Sequence, residues 1–158
     1  MKKYRTWIGL FFRLILGGVL LAAGLLKYQH LDKSQMAVRA YELLPISLAN
    51  FLGILLPFVE IATGILLIIG AAIRVSAIVG ASLMFAFIIG ISQAWARGLS
   101  IDCGCFGGGG QVEPGTANYL PELLRDAAFA LMAFYLIRNP HSKFGLDRHT
   151  QDGDDSNG

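Results

Sequence analysis

Apolar residues gather in four long runs separated by short polar stretches. A helix crosses a bilayer with roughly 20 mostly apolar residues at about 1.5 Å each. Trp7 to Leu26 is apolar apart from Arg13, and Phe51 to Ala72 is interrupted only by Pro57 and Glu60. Val75 to Trp95 has no charge at all. The fourth run, Leu120 to Ile137, is shorter and carries Glu122, Arg125 and Asp126 in its opening turns. The pattern predicts an all-α integral membrane protein, an antiparallel four-helix bundle over residues 7–138 with spans at about 7–26, 51–72, 75–95 and 120–137. Pro121 suits a first helical position, where its missing N–H costs nothing. The polar segment 139–158, ending in "DGDDSNG", is expected to be a disordered cytoplasmic tail.

Composition agrees with a membrane location. The chain is 54% hydrophobic and 15% charged, with a mean hydropathy of +0.56, whereas soluble domains are nearer about a quarter charged. The net charge is +2 and the basic residues are scattered, which gives nucleic-acid binding no support. Lys2, Lys3 and Arg5 before an apolar run imitate a secretory signal, but Arg13 and the three later runs favour an uncleaved first helix. Basic residues at the span ends set orientation. Lys2, Lys3, Arg5, Arg74, Arg138, Lys143 and Arg148 fall on one side, and Lys27, Lys33, Arg39 and Arg97 on the other. Both termini are then cytoplasmic and the segment 96–119 is extracytoplasmic, with Trp7, Tyr28, Trp95 and Tyr119 near the interfaces.

The first outer connection has its own pattern. Asp32 followed by Gln35 resembles a capping box, and Met36, Ala40, Leu43 and Leu44 share one face until Pro45. A short amphipathic helix on the membrane surface is expected. Within the spans, Gly18 with Ala22, Ser76 with Gly80 and Ala86 with Gly90 stand four apart and allow close helix packing.

The chemistry-bearing stretch is "SIDCGCFGGGG", Ser100 to Gly110, which holds the only two cysteines. A bridge between Cys103 and Cys105 would close a small, strained ring, and strained disulfides are the more oxidising ones. It would constrain almost no chain, so stability is a poor reason for it. Gly104 and the following glycines leave room for a partner's thiol. Asp102 would oppose thiolate formation, and Arg97 would offset it. Three readings compete: a redox-active disulfide, a soft-metal site of the Cu(I) type, and two idle thiols in a linker. Two sulfurs without further ligands make a poor zinc site, so no metal is assigned.

Charges inside a span usually face a partner or a cavity. Arg13 and Glu60 have side chains long enough to meet as an ion pair between the first two spans, and a proton or quinone role is the alternative. Pro57, one turn before Glu60, would free a backbone carbonyl near that carboxyl. Arg125 and Asp126, beyond the cysteine segment, are either an interfacial anchor or, through Arg125, an aid to a thiolate. His30 and Gln93 lie near outer span ends.

With these residues in place the chain resembles the DoxX-like membrane proteins, and specifically the MauE branch named for methylamine utilisation. The carriers are "RLILGGVLLAAGLLK" (Arg13 to Lys27), "LPFVEIATGILLIIG" (Leu56 to Gly70) and, above all, "DCGCFG" (Asp102 to Gly107) before the last run. The resemblance implies a four-helix membrane protein that helps mature disulfide-rich exported proteins with a thioredoxin-like partner. By that analogy Cys103 and Cys105 are the redox pair.

The resulting expectation is a protein of a bacterial cytoplasmic membrane that passes electrons between an extracytoplasmic thioredoxin-like partner and a membrane quinone. Cys103 and Cys105 would be the catalytic pair, with Arg13, Glu60, Arg125 and Asp102 supporting them. A non-enzymatic scaffold and a soft-metal-handling transporter are the alternatives. Membrane thiol oxidases generally relay through a second cysteine pair, which this chain lacks.

Overall fold

The computed structural model describes residues 2–102, 104 and 108–139. Cys103, Cys105, Phe106, Gly107 and residues 140–158 of the predicted tail lie outside the described residues. Five helices follow one another: α1 (Lys2–Gln29), α2 (Leu31–Ala40), α3 (Ile46–Ile69), α4 (Ile73–Ala96) and α5 (Tyr119–Arg138). Between α4 and α5 a small antiparallel hairpin pairs β1 (Ile101–Asp102) with β2 (Gly110–Gln111), Ile101 opposite Gln111 and Asp102 opposite Gly110. The sequence pattern did not predict the hairpin, because two residues per strand leave no alternation to read.

Three helical segments, Thr6–Gln29, Ile46–Ile69 and Ile73–Ala96, are long and apolar enough to cross a membrane. Helix α3 begins five residues before the predicted Phe51, since Pro45 holds φ at −55° and starts the helix. It also stops earlier. Gly70 takes a left-handed φ of 78° and its N–H donates to Leu66 O, the usual glycine stop. Helix α5 starts at Tyr119, so Pro121 is its third residue rather than its first. The third N–H of a helix also has no intrahelical acceptor, so the ring is tolerated there.

Many small and polar residues lie inside, while many of the largest apolar ones face outward. Ala49, Ala77, Ala94 and Ala133 are fully buried, while Phe11, Phe51, Phe85, Ile89 and Leu131 are exposed. Such an apolar exterior suits lipid, because lipid removes the penalty for exposing it and rewards close backbone packing within. Helix α1 packs antiparallel on α3, and α4 on α5, with the two pairs meeting along α1–α5 and α3–α4. Leu16, Leu20, Leu67, Met84 and Leu136 fill the seam between them.

The α1–α3 crossing is made by glycines, though not by the predicted Gly18, around which there is open space. A Cβ on Gly64 would lie 2.7 Å from Leu21 N and 2.8 Å from Gly17 O. These are backbone atoms of the facing helix and cannot swing aside. Gly64→Ala is therefore expected to destabilise the protein by about 1–3 kcal/mol of overpacking, despite alanine's better helix propensity of roughly 0.5–1 kcal/mol. Denaturant unfolding in detergent micelles measures it, and an unchanged midpoint would contradict the crossing.

Helix α2 forms, but with a different cap and face from those expected. His30 precedes its first turn without a side-chain cap bond, and Asp32 is already inside the helix. Ser34, Ala37 and Ala40 are buried, and Met36, Leu43 and Leu44 are exposed. The reason is a carbonyl that Pro57 leaves unbonded. Lacking an N–H, Pro57 cannot donate to the residue four before it, which is Gly53. Ser34 Oγ donates to Gly53 O at 2.7 Å instead, and Gly53 lets the α2 backbone approach at Gln35. The freed carbonyl thus docks α2 and is not the one expected near Glu60.

Candidate functional site

The cysteine segment is held at both ends by described residues. Asp102 pairs with Gly110 in the hairpin, and its Oδ1 accepts from the N–H of Gly104, the residue between the cysteines, at 3.3 Å. Gly104 and Gly109 have φ of 68° and 142° and rest on Ala37 of α2. A Cβ on Gly109 would lie 2.5 Å from Ala37 Cβ and one on Gly104 would lie 2.7 Å from it. Gly108 faces the Asp102 carboxylate so closely that any side chain would collide. The glycines are therefore a seating device as well as a way to leave space.

Tyr119 fixes the stem of the hairpin. Its hydroxyl donates to Leu99 O and accepts from Ile101 N–H at 3.0 Å, while its ring stacks on Trp95. Tyr119 was expected only as an interfacial aromatic. It is buried, and no signal in the sequence distinguished it from the exposed Trp7, Tyr28 and Trp95.

Arg97 does not reach Asp102. Its guanidinium donates to Tyr41 O, Gln93 Oε1 and Glu42 Oε2, and Gln93 Nε2 also donates to Tyr41 O at 3.0 Å. This group ties the end of α4 to the end of α2.

The charged residues assemble otherwise than expected. Glu60 is not paired with Arg13. Lys27 Nζ lies 2.5 Å from Glu60 Oε1, and both are almost fully buried. Arg13 Nη2 donates to Ile68 O at 3.4 Å, nearer the other end of α3. Side chains on a helix lean back toward its N-terminus, so Lys27, near the end of α1, reaches down along α3 to Glu60. Its Nζ also lies over the Phe87 ring, 4.9 Å from the centroid. Lys27 is consequently an interior charge and not the loop charge expected from its position.

Arg125 and Asp126 sit about two turns into α5, joined at 3.2 Å. Asp126 is buried, so the pair is more than an interfacial anchor. Arg125, Asp126 and Glu60 line one small cavity with Leu20, Phe87 and Phe129. The cavity leaves about 20 Å³ for the centre of a water molecule, enough for about one water and far too small for a quinone ring. Among the described residues no group of three His, Cys, Asp or Glu side chains converges as a metal site.

A family model described as methylamine utilisation protein MauE matches residues 5–138. The chain belongs to the MauE family. The match takes in all of α2 to α5, α1 from residue 5 onward, and the whole cysteine segment, and with the three spans it makes the chain a membrane protein of a family involved in methylamine utilisation. Neither a curated protein nor a solved structure gives a significant match. In this MauE protein the sequence-predicted residues fall into two places. Asp102 belongs to the hairpin that carries the cysteines, while Glu60 and Arg125 belong to the polar seam, and Arg13 stands apart from both.

Proposed function

We propose that this MauE protein is a membrane thiol–disulfide redox protein serving an extracytoplasmic thioredoxin-like partner, and so the formation or maturation of disulfides in exported proteins. The supporting observation is the hairpin: glycines seated on α2 and an Asp102–Gly110 pairing hold the segment that contains the chain's only cysteines. In this reading the Cys103–Cys105 disulfide accepts two electrons and two protons from a partner dithiol. The partner leaves as its disulfide and the pair becomes a dithiol. Re-oxidation returns two electrons and two protons, for which a membrane quinone is the acceptor this reading calls for. The seam cavity does not fit that group, so the chain's own contribution is the exchange at the hairpin.

The membrane arrangement belongs to the same proposal. Leu120, Leu124, Leu131 and Phe134 give α5 the apolar exterior of the other spans, which supports α5 as a fourth span. Both termini are then cytoplasmic, and the hairpin faces the outside of a bacterial cytoplasmic membrane, where disulfides persist.

Cys103→Ser and Cys105→Ser, each expressed alone in cells, are expected to differ. The variant keeping the sulfur that bonds to the partner should trap a mixed disulfide with the oxidised partner, visible on non-reducing gels, and the other should not. No adduct from either variant, with both wild-type thiols permanently reduced, would overturn the redox reading. The water-sized cavity and the single cysteine pair favour a second reading, a maturation scaffold without turnover, in which the double serine variant keeps full function.

A further inference from the structure

The seam between the helical pairs brings together four charges from three helices: Lys27 on α1, Glu60 on α3, and Arg125 with Asp126 on α5. Helix α4 adds only Met84 and Phe87 to the cavity wall. Each carboxylate spends one oxygen on its cation, Glu60 Oε1 on Lys27 and Asp126 Oδ1 on Arg125. Among the described residues the other oxygens, Glu60 Oε2 and Asp126 Oδ2, are buried and receive no hydrogen bond from the protein. Both residues are at least nine-tenths buried and line the same cavity.

Ionised carboxylates only accept hydrogen bonds, and leaving a buried one unmet is costly, more so in a low-dielectric interior. The two acceptors therefore need a species that donates twice. It must also fit about 20 Å³ and add no charge to a cluster of two cations and two anions. Water meets all three conditions, and although most of the cavity wall is apolar, a space of this size holds a water where two or more polar groups can bond it. We propose that the cavity is a specific water-binding site, in which one molecule donates to Glu60 Oε2 and Asp126 Oδ2 and bridges α3 to α5. The bridge joins the α1–α3 pair to the α4–α5 pair by a bond that neither pair makes alone. It also places an exchangeable hydrogen carrier between two carboxyls inside the helices. The site is independent of the redox reading, since no cysteine takes part.

The test is isotope-difference infrared spectroscopy of the full chain in lipid nanodiscs, comparing ordinary with heavy-oxygen water. The wild type should show an isotope-sensitive band of strongly hydrogen-bonded water. Ala23→Val, which narrows the cavity from α1 without touching either ion pair, should abolish it. Glu60→Gln and Asp126→Asn should each shift it, and circular dichroism checks that each variant stays helical. A wild type without the band overturns the proposal, and so does a band that all three substitutions leave unchanged. Because the first measurement needs no substitution, a variant that fails to fold does not remove the test.

Discussion

Glu60→Ala is expected to lower stability by about 3–5 kcal/mol, the usual cost of removing one member of a buried ion pair. The loss comes mainly from what remains. Lys27 would keep its ammonium buried in the seam, over the Phe87 ring and without the carboxylate 2.5 Å away. Lys27→Met should be similarly costly, because it strands Glu60 instead. Replacing both, as Lys27→Met with Glu60→Leu, should recover most of the loss, since two apolar groups of similar volume need no compensation. Unfolding of the wild type, Lys27→Met alone, Glu60→Leu alone and the double variant in one detergent yields the coupling energy of a double-mutant cycle. Additive losses would show that the pair contributes nothing as a pair. Arg13→Met, by contrast, should leave that coupling untouched, because Arg13 bonds to Ile68 O and not to Glu60.

Gly109→Val is expected to unseat the cysteine segment while leaving the helices folded. The native φ of 142° is unfavourable for valine, and its Cβ would meet Ala37 Cβ at 2.5 Å and Lys33 O at 3.2 Å. Strain of this kind is worth about 1–3 kcal/mol, which is about a fivefold to hundredfold change in an equilibrium. Amide hydrogen exchange at Ile101, Asp102, Gly110 and Gln111 should accelerate by that factor, with exchange in α1 and α3 unchanged. Unaltered exchange at those four residues would mean that the glycine seat does not hold the hairpin.

The helical spans were legible because length and hydropathy suffice for a helix in lipid, and all four runs became helices. What one sequence does not display is rotation about each helix axis. Gly17 and Gly18 are adjacent, yet 100° of rotation places the first against Gly64 and the second in open space. The same limit hid the Lys27–Glu60 pair. Arg13 and Lys27 are both basic ends of one apolar run, and the direction in which a helical side chain leans decides between them. That direction was available from general stereochemistry and would have favoured Lys27. The role of Pro57 followed the same lesson, since the carbonyl it frees lies four residues before it. The seat of the cysteine segment was beyond reach, because it depends on Ala37, a residue without any chemical signal of its own.

The short connection between α3 and α4 governs how the protein can deform. Only Gly70, Ala71 and Ala72 join these helices, with left-handed conformations at Gly70 and Ala72. The remaining connections, α2 and the hairpin, are both at the opposite end. The molecule is laid out like a clothes peg, with the tight turn at one end and its jaws at the other. Arg97 is the catch across those jaws, gripping Tyr41 and Glu42 from the end of α4. Gln93 adds a second hold on Tyr41, so the ties between the two arms gather at the same rim that carries the sulfur-bearing segment.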